Sequence, residues 1–159
     1  MTTDNTAAAI RRAVPSDVLS VRACVEDAYS MYLDRMDQPP APMLADYAAL
    51  IAREVVYVAT LDEAIVGLIV LWPESDHLYV DNIAVTPSAQ GHGVAMSLLG
   101  FAEHEARRHD RAEIRLYTNE AMTENLIYYP KRQFIETHRA VASGYDRVYF
   151  TRHLNPSEN

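Results

Sequence analysis

The chain has 159 residues and a formal net charge of −8, with 49% hydrophobic and 23% charged residues. That balance describes one globular domain over residues 1–159, and its acidity argues against a general nucleic-acid surface, which needs basic stripes. No apolar run reaches membrane-spanning length and the start, MTTDNTAAAIRR, lacks a signal-peptide core, so a cytoplasmic protein with no membrane contact is expected.

In chain order, residues 1–7 are small and polar and are expected to fray. Residues 8–14 read as a short strand ended by Pro15. Pro15-Ser16-Asp17 then starts a helix, with Val18, Val21, Val25, Ala28 and Tyr29 on its inner stripe, running to about Met36. Cys24, the only cysteine, falls among these residues and reads as buried packing; no internal disulfide or cysteine metal cluster can form. Gln38-Pro39-Pro40-Ala41-Pro42 is a stiff connector. A second helix is expected over residues 43–53, with Leu44, Tyr47, Leu50 and Ile51 inward. From Val55 the period changes to two. Strands over residues 55–61, 64–72 and Leu78–Val85, joined by turns at Asp62-Glu63 and Pro73-Glu74-Ser75-Asp76, make an antiparallel meander.

The meander ends in Ile83-Ala84-Val85 and is broken by Thr86-Pro87-Ser88. Gln90-Gly91-His92-Gly93-Val94-Ala95 follows and opens a helix striped by Val94, Leu98, Phe101, Ala102 and Glu105. Glycines admit close approach to the backbone, and the free N–H groups of a helix's first turn favour phosphate. A dinucleotide fingerprint would need a third glycine where Met96 stands, and a P-loop needs Gly-Lys-Ser/Thr, which is absent. His104 and His109 lie five apart, about 140° off one helical face, so a zinc helix is not expected and no metal is predicted.

Residues 113–117 alternate as a strand that can lie beside Leu78–Val85 through a right-handed crossover. Helical spacing returns over residues 118–132, and residues 134–142 and 146–153 form a hairpin around Ser143-Gly144-Tyr145.

A strand ending I-A-V-x-P, followed by Gln90, Gly93 and Ala95 in the pattern Gln/Arg-x-x-Gly-x-Gly/Ala, resembles the pyrophosphate motif of the GCN5-related N-acetyltransferases, the GNAT superfamily. The order β-α-α-β-β-β-α-β-α-β-β is similar to the family's fold. The resemblance implies an α/β (α+β) acyl-CoA N-acyltransferase fold, a mixed, mostly antiparallel sheet flanked by helices, with a splayed central strand pair holding acetyl-CoA. Backbone groups of Ile83, Ala84 and Val85 would then pair with pantetheine. Gln90, Gly91, His92, Gly93, Val94 and Ala95 would wrap the pyrophosphate, His92 through its backbone alone.

The run Met122-Thr123-Glu124-Asn125-Leu126-Ile127-Tyr128-Tyr129-Pro130-Lys131-Arg132-Gln133-Phe134 resembles the family's segment ending aromatic-Tyr-x-Lys/Arg-x-Gly-Phe. By that match Tyr129 contacts the cofactor and is the acid that protonates the departing thiolate, a role a phenol of pKa ~10 suits. Asn125, one turn earlier on the same face, could bond the pantetheine arm, and Tyr128 is taken as the packing residue. Two departures stand out. Gln133 replaces the family's glycine, where a left-handed residue would cost ~1 kcal/mol, and Pro130 lies inside the helix. Asp81 is the preferred general base, with Glu74 behind it. Tyr29, Tyr32, Met36, the Pro-rich connector and Tyr145 are candidates for the acceptor pocket. The implied activity is acetyl transfer to a small-molecule or peptide amine by direct attack. A non-catalytic acyl-CoA-binding or sensing domain is the alternative, and homodimerisation is left open.

Overall fold

Strands β1 (Ala9–Arg12), β2 (Val56–Leu61), β3 (Ala64–Pro73) and β4 (Leu78–Val85) form the meander of a computed structural model that describes residues 8–156. With β5 (Glu113–Asn119), β6 (Ile135–Ala142) and β7 (Tyr145–His153) they make a seven-stranded sheet, ordered β1-β2-β3-β4-β5-β7-β6. Every pair is antiparallel except β4 with β5, which the crossover helix α3 (Val94–Arg108) forces to be parallel. The stretch expected to fray lies outside the described residues.

Helices α1 (Val18–Tyr29) and α2 (Tyr47–Ala52) cover one face of the sheet, where Val21, Val25, Tyr47 and Ile51 pack on Val56, Val58, Leu68 and Val70. On the other face α3 and α4 (Thr123–Lys131) lay Val94, Leu98, Ala102 and Tyr129 over Ile69, Leu78, Val80, Ile114 and Phe150. Cys24 is buried, and burial pushes its thiol up to about 12.

The strand β4 changes face midway. Val70 pairs with Asn82 but Leu71 pairs with Val80, leaving Asp81 as an extra residue, a β-bulge. Leu78 and Val80 therefore point toward α3, whereas Asn82 and Ala84 point toward α1 and α2. At the same residue β4 parts from β5. Their pairing stops at Val80 and Leu116, while β4 continues along β3 to Val85 and β5 continues along β7 to Asn119. Bulge and splay share one origin.

Several element boundaries differ from the sequence reading. The first strand is shorter than residues 8–14. The α-helical part of the first helix stops at Tyr29 and continues as a 3₁₀ helix, Ser30–Arg35. Three residues per turn stack Tyr32 and Arg35 on one side, with the Arg35 guanidinium 5.1 Å over the Tyr32 ring. The expected helix over residues 43–53 is split into a 3₁₀ turn, Ala41–Leu44, and α2. Asp46 caps α2 by accepting from Ala49 N–H at 3.1 Å, and Leu44, expected inside, is 65% exposed. The chain after Tyr117 stays extended to Asn119 because β7 supplies partners, so α4 begins only at Thr123.

Candidate active site

Where β4 leaves β5, two hollows meet. Antiparallel alternation decides which backbone groups face them. Thr86 N–H donates to Val66 O at 2.9 Å, so Ala84 and Asn82 also turn their peptide groups to β3, and Ile83 and Val85 turn theirs to the opening. The side chains nearby agree, since the Tyr29 hydroxyl reaches Ile83 O at 2.9 Å and Gln90 Nε2 donates to Val85 O at 3.3 Å. Of the three residues expected to pair with an extended ligand, Ala84 has its backbone engaged with β3. This corrects the expectation for Ala84.

The larger hollow is a cleft of about 490 Å³ between this edge, α1, α3 and α4. Gln90, Gly91, Gly93, Val94 and Ala95 line it; the exposed His92 side chain does not. Gly91 and Gly93 have φ of 84° and 81°, and a Cβ built on either would meet nothing within 4 Å. They are needed for their left-handed backbone, which aims the loop into α3. The first bond of α3 runs from Ser97 N–H to Gly93 O, so the amides of Val94, Ala95 and Met96 begin the helix without a carbonyl partner. A different glycine seats this helix. A Cβ at Gly67 would lie 2.9 Å from Val94 Cγ1, so no larger residue fits where α3 crosses β3. The outward N–H groups of Ile83 and Val85 beside the open amides of Val94, Ala95 and Met96 fit a ligand with amide and pyrophosphate groups, as coenzyme A has.

Arg132 was not singled out in the sequence. It is the one arginine or lysine lining this cleft among the described residues, and its guanidinium lies 4.9 Å over the Tyr128 ring. Its signal was its place three residues past Tyr129. Across the mouth Arg35 holds Glu124 in a two-bond pair of 2.7 and 2.8 Å, which keeps the Glu124 carboxyl at about 2.

The smaller hollow, about 50 Å³, is lined by Asp81, Tyr117, Met122, Arg147, Met36, Tyr145 and the connector residues Pro40, Ala41 and Pro42. Tyr145 donates to Pro39 O at 2.5 Å and Gln38 Nε2 donates to Gly144 O at 3.0 Å, so the β6–β7 turn holds the connector in place. A buried relay fixes its other end. Tyr47 donates to Pro42 O at 2.6 Å and accepts from Asn82 Nδ2 at 2.9 Å, while Asn82 Oδ1 lies 2.5 Å from the Tyr29 hydroxyl. Asn82 is thus a positioning residue that the alternating pattern of β4 concealed. Tyr32 lines the larger cleft instead of the pocket.

Tyr29, Ile83, Asn125 and Tyr129 line both hollows. Tyr129 is packed edge-on to Phe134 and Tyr128, with no hydrogen bond from its hydroxyl among the described residues. Burial, then the neighbouring Tyr128 and Tyr32, pushes its phenol well above the ordinary range and keeps it protonated. Asn125 spends its Nδ2 on Thr118 Oγ1 at 2.9 Å, leaving its carbonyl oxygen to accept. Asp81 stands at the bulge, its carboxyl raised by burial against opposing contributions from Tyr79, Arg147 and Arg53. Glu74 is exposed in the β3–β4 turn, bonded to Trp72 Nε1 at 2.6 Å, and joins neither hollow. The two departures in α4 are both present. Pro130 sits inside the helix, and Gln133 adopts φ of 73°, the conformation glycine would take.

A parallel crossover, a bulged central strand, a splay and a glycine-led helix start stand together here, and the family profile of the acetyltransferase (GNAT) family matches residues 21–134; the chain belongs to that family. Among solved structures, the PaiA N-acetyltransferase of Thermoplasma acidophilum in complex with coenzyme A superposes with a TM-score of 0.77 at 15% identity, covering 93% of this chain and 99% of that one. Ard1 of Thermoplasma volcanium gives 0.72 at 20% identity, covering 95% and 100%. The ribosomal-protein-S18-alanine N-acetyltransferase of Escherichia coli gives 0.72 at 14%, covering 95% and 96%. At these identities the likeness is one of fold. No curated protein sequence matches the chain.

Proposed function

We propose that the protein transfers an acetyl group from acetyl-CoA to the nitrogen of an amine, directly, with both substrates bound. The observation that carries this reading is the position of Tyr129, which lines the cofactor cleft and the acceptor pocket together and has a hydroxyl free to act. Ile83 and Val85 would bond the pantetheine amides as an added strand, and the open amides of Val94, Ala95 and Met96, with the glycine turn before them, would bind the pyrophosphate with Arg132 supplying positive charge. In the smaller pocket Asp81 accepts a proton from the incoming ammonium. The amine nitrogen forms a bond to the acyl carbon, the carbon–sulfur bond breaks, and Tyr129 protonates the thiolate. Of the two protons the ammonium loses, one ends on the thiol and one in solvent.

Tyr129→Phe tests the assignment. It keeps the ring and its packing, so kcat and kcat/KM are expected to fall by ~10² or more while acetyl-CoA affinity stays within about twofold. Wild-type kcat in this variant would remove Tyr129 from the reaction.

A further inference from the structure

The small pocket holds two opposite charges that do not satisfy each other. Asp81 reaches it from the β4 bulge. Arg147 reaches it from β7, opposite Asn119 of β5, across the gap where β4 and β5 have parted. The other strand arginines nearby are neutralised in place: Arg115 by Glu113 at 2.8 Å, Arg139 by Glu136 at 2.9 Å and Arg152 by Glu103 at 3.0 Å. Arg147 makes no ion pair among the described residues, and its Nε is buried without a hydrogen-bond partner. It is held in position by stacking, its guanidinium carbon 4.0 Å from the centroid of the Tyr117 ring. Leaving a cation and a buried donor unmatched is costly unless a ligand completes them. An anion that completes Arg147 must bind beside the amine that Asp81 receives, because both side chains line the same pocket. One small ligand that carries both charges answers both side chains.

Resting on the N-acetyltransferase reading above, we propose that the acceptor is a free α-amino acid, its ammonium directed to Asp81 and its carboxylate to the Arg147 guanidinium. A guanidinium fork matches a carboxylate with two parallel bonds. Tyr117, Met36 and Met122 leave the side chain an apolar surround. Peptides and simple amines carry no carboxylate at this distance from the reacting nitrogen and are poorer acceptors.

The test compares L-leucine, L-methionine and L-phenylalanine with their carboxamides, which keep the side chain and a protonatable α-amine and lose the anionic group. Thiol release from acetyl-CoA is measured for the wild type, Arg147→Gln and Arg147→Lys. The expected result is a preference of about 10- to 100-fold in kcat/KM for the acids, the size of one charge-assisted bond. Arg147→Gln brings that ratio near one, and Arg147→Lys restores part of it. Equal or better use of the carboxamides by the wild type overturns the proposal, as does an undiminished ratio in Arg147→Gln. If no compound releases thiol, calorimetry of the same acids and amides on the CoA-saturated wild type decides. Binding of the acids alone keeps the site while the transferase reading falls, and binding of neither overturns it. Should Arg147→Gln fail to fold, the acid-to-amide ratio of the wild type decides alone.

Discussion

Tyr128 and Tyr129 are neighbours with opposite prospects. The Tyr128 hydroxyl is buried without a partner, under the Arg132 guanidinium, whereas Tyr129 stands between the two hollows. Removing an unsatisfied buried hydroxyl relieves a desolvation cost, so Tyr128→Phe is expected to raise stability by up to ~1 kcal/mol and leave the rate close to wild type. A urea melt and a rate assay on the one variant check both halves. Asp81 carries a second prediction with a definite sign. Its folded pKa is raised above the unfolded value of about 3.9, chiefly by burial. The ionised carboxylate thus opposes folding: stability is complete below the unfolded pKa and declines as pH rises through the folded one. Asp81→Asn should therefore raise Tm at pH 7 and have no such effect near pH 3, while kcat/KM falls by ~10² if Asp81 is the base. A Tm lowered at pH 7 would contradict the burial argument.

At the scale of elements, two left-handed residues make opposite predictions. Gly93 leads α3 with φ of 81°, and a Cβ there clashes with nothing, so the cost of Gly93→Val is one of backbone conformation. Coenzyme A affinity should drop at least tenfold, by calorimetric titration, with the fold retained, because the loop can no longer aim its amides. Gln133 ends α4 at φ of 73° with a side chain that gains nothing there, and Gln133→Gly is expected to stabilise by ~0.5 kcal/mol after the extra freedom of the unfolded glycine is counted. The glycine turn and the tyrosine segment were legible in the sequence because each is a local pattern whose chemistry is local. The bulge at Asp81 was not. β4 alternates buried and half-buried residues without interruption, and only the pairing register shows that Val80 and Asn82 serve opposite faces. Ala84 was assigned to the cofactor for the same reason, since alternation of side chains does not tell which edge a peptide group faces. Arg147 escaped notice because Asp81, which faces the same pocket, lies on a strand far away in the chain.

Over the whole molecule, the first strand and first helix are tied by Arg11, whose guanidinium gives Asp17 two bonds of 2.8 and 3.1 Å while Val14 N–H gives a third at 2.8 Å. These hold the Asp17 carboxyl below its ordinary value. Its contribution is thus present above the unfolded pKa and lost as pH falls through the folded one. Asp17→Asn should cost about 1–2 kcal/mol at pH 7 and little near pH 2, read from urea midpoints at both. In the proposed function the fold holds two substrates on either side of Tyr129, and that claim is tested most directly by the reaction itself. Purified protein is incubated with acetyl-CoA and a panel of amines, and free thiol and acetylated amine are quantified together. Amine-dependent thiol release matched one-to-one by acetyl-amine is the predicted result. Coenzyme A binding without release of thiol for any amine would contradict it and leave a domain that holds acyl-CoA without turnover.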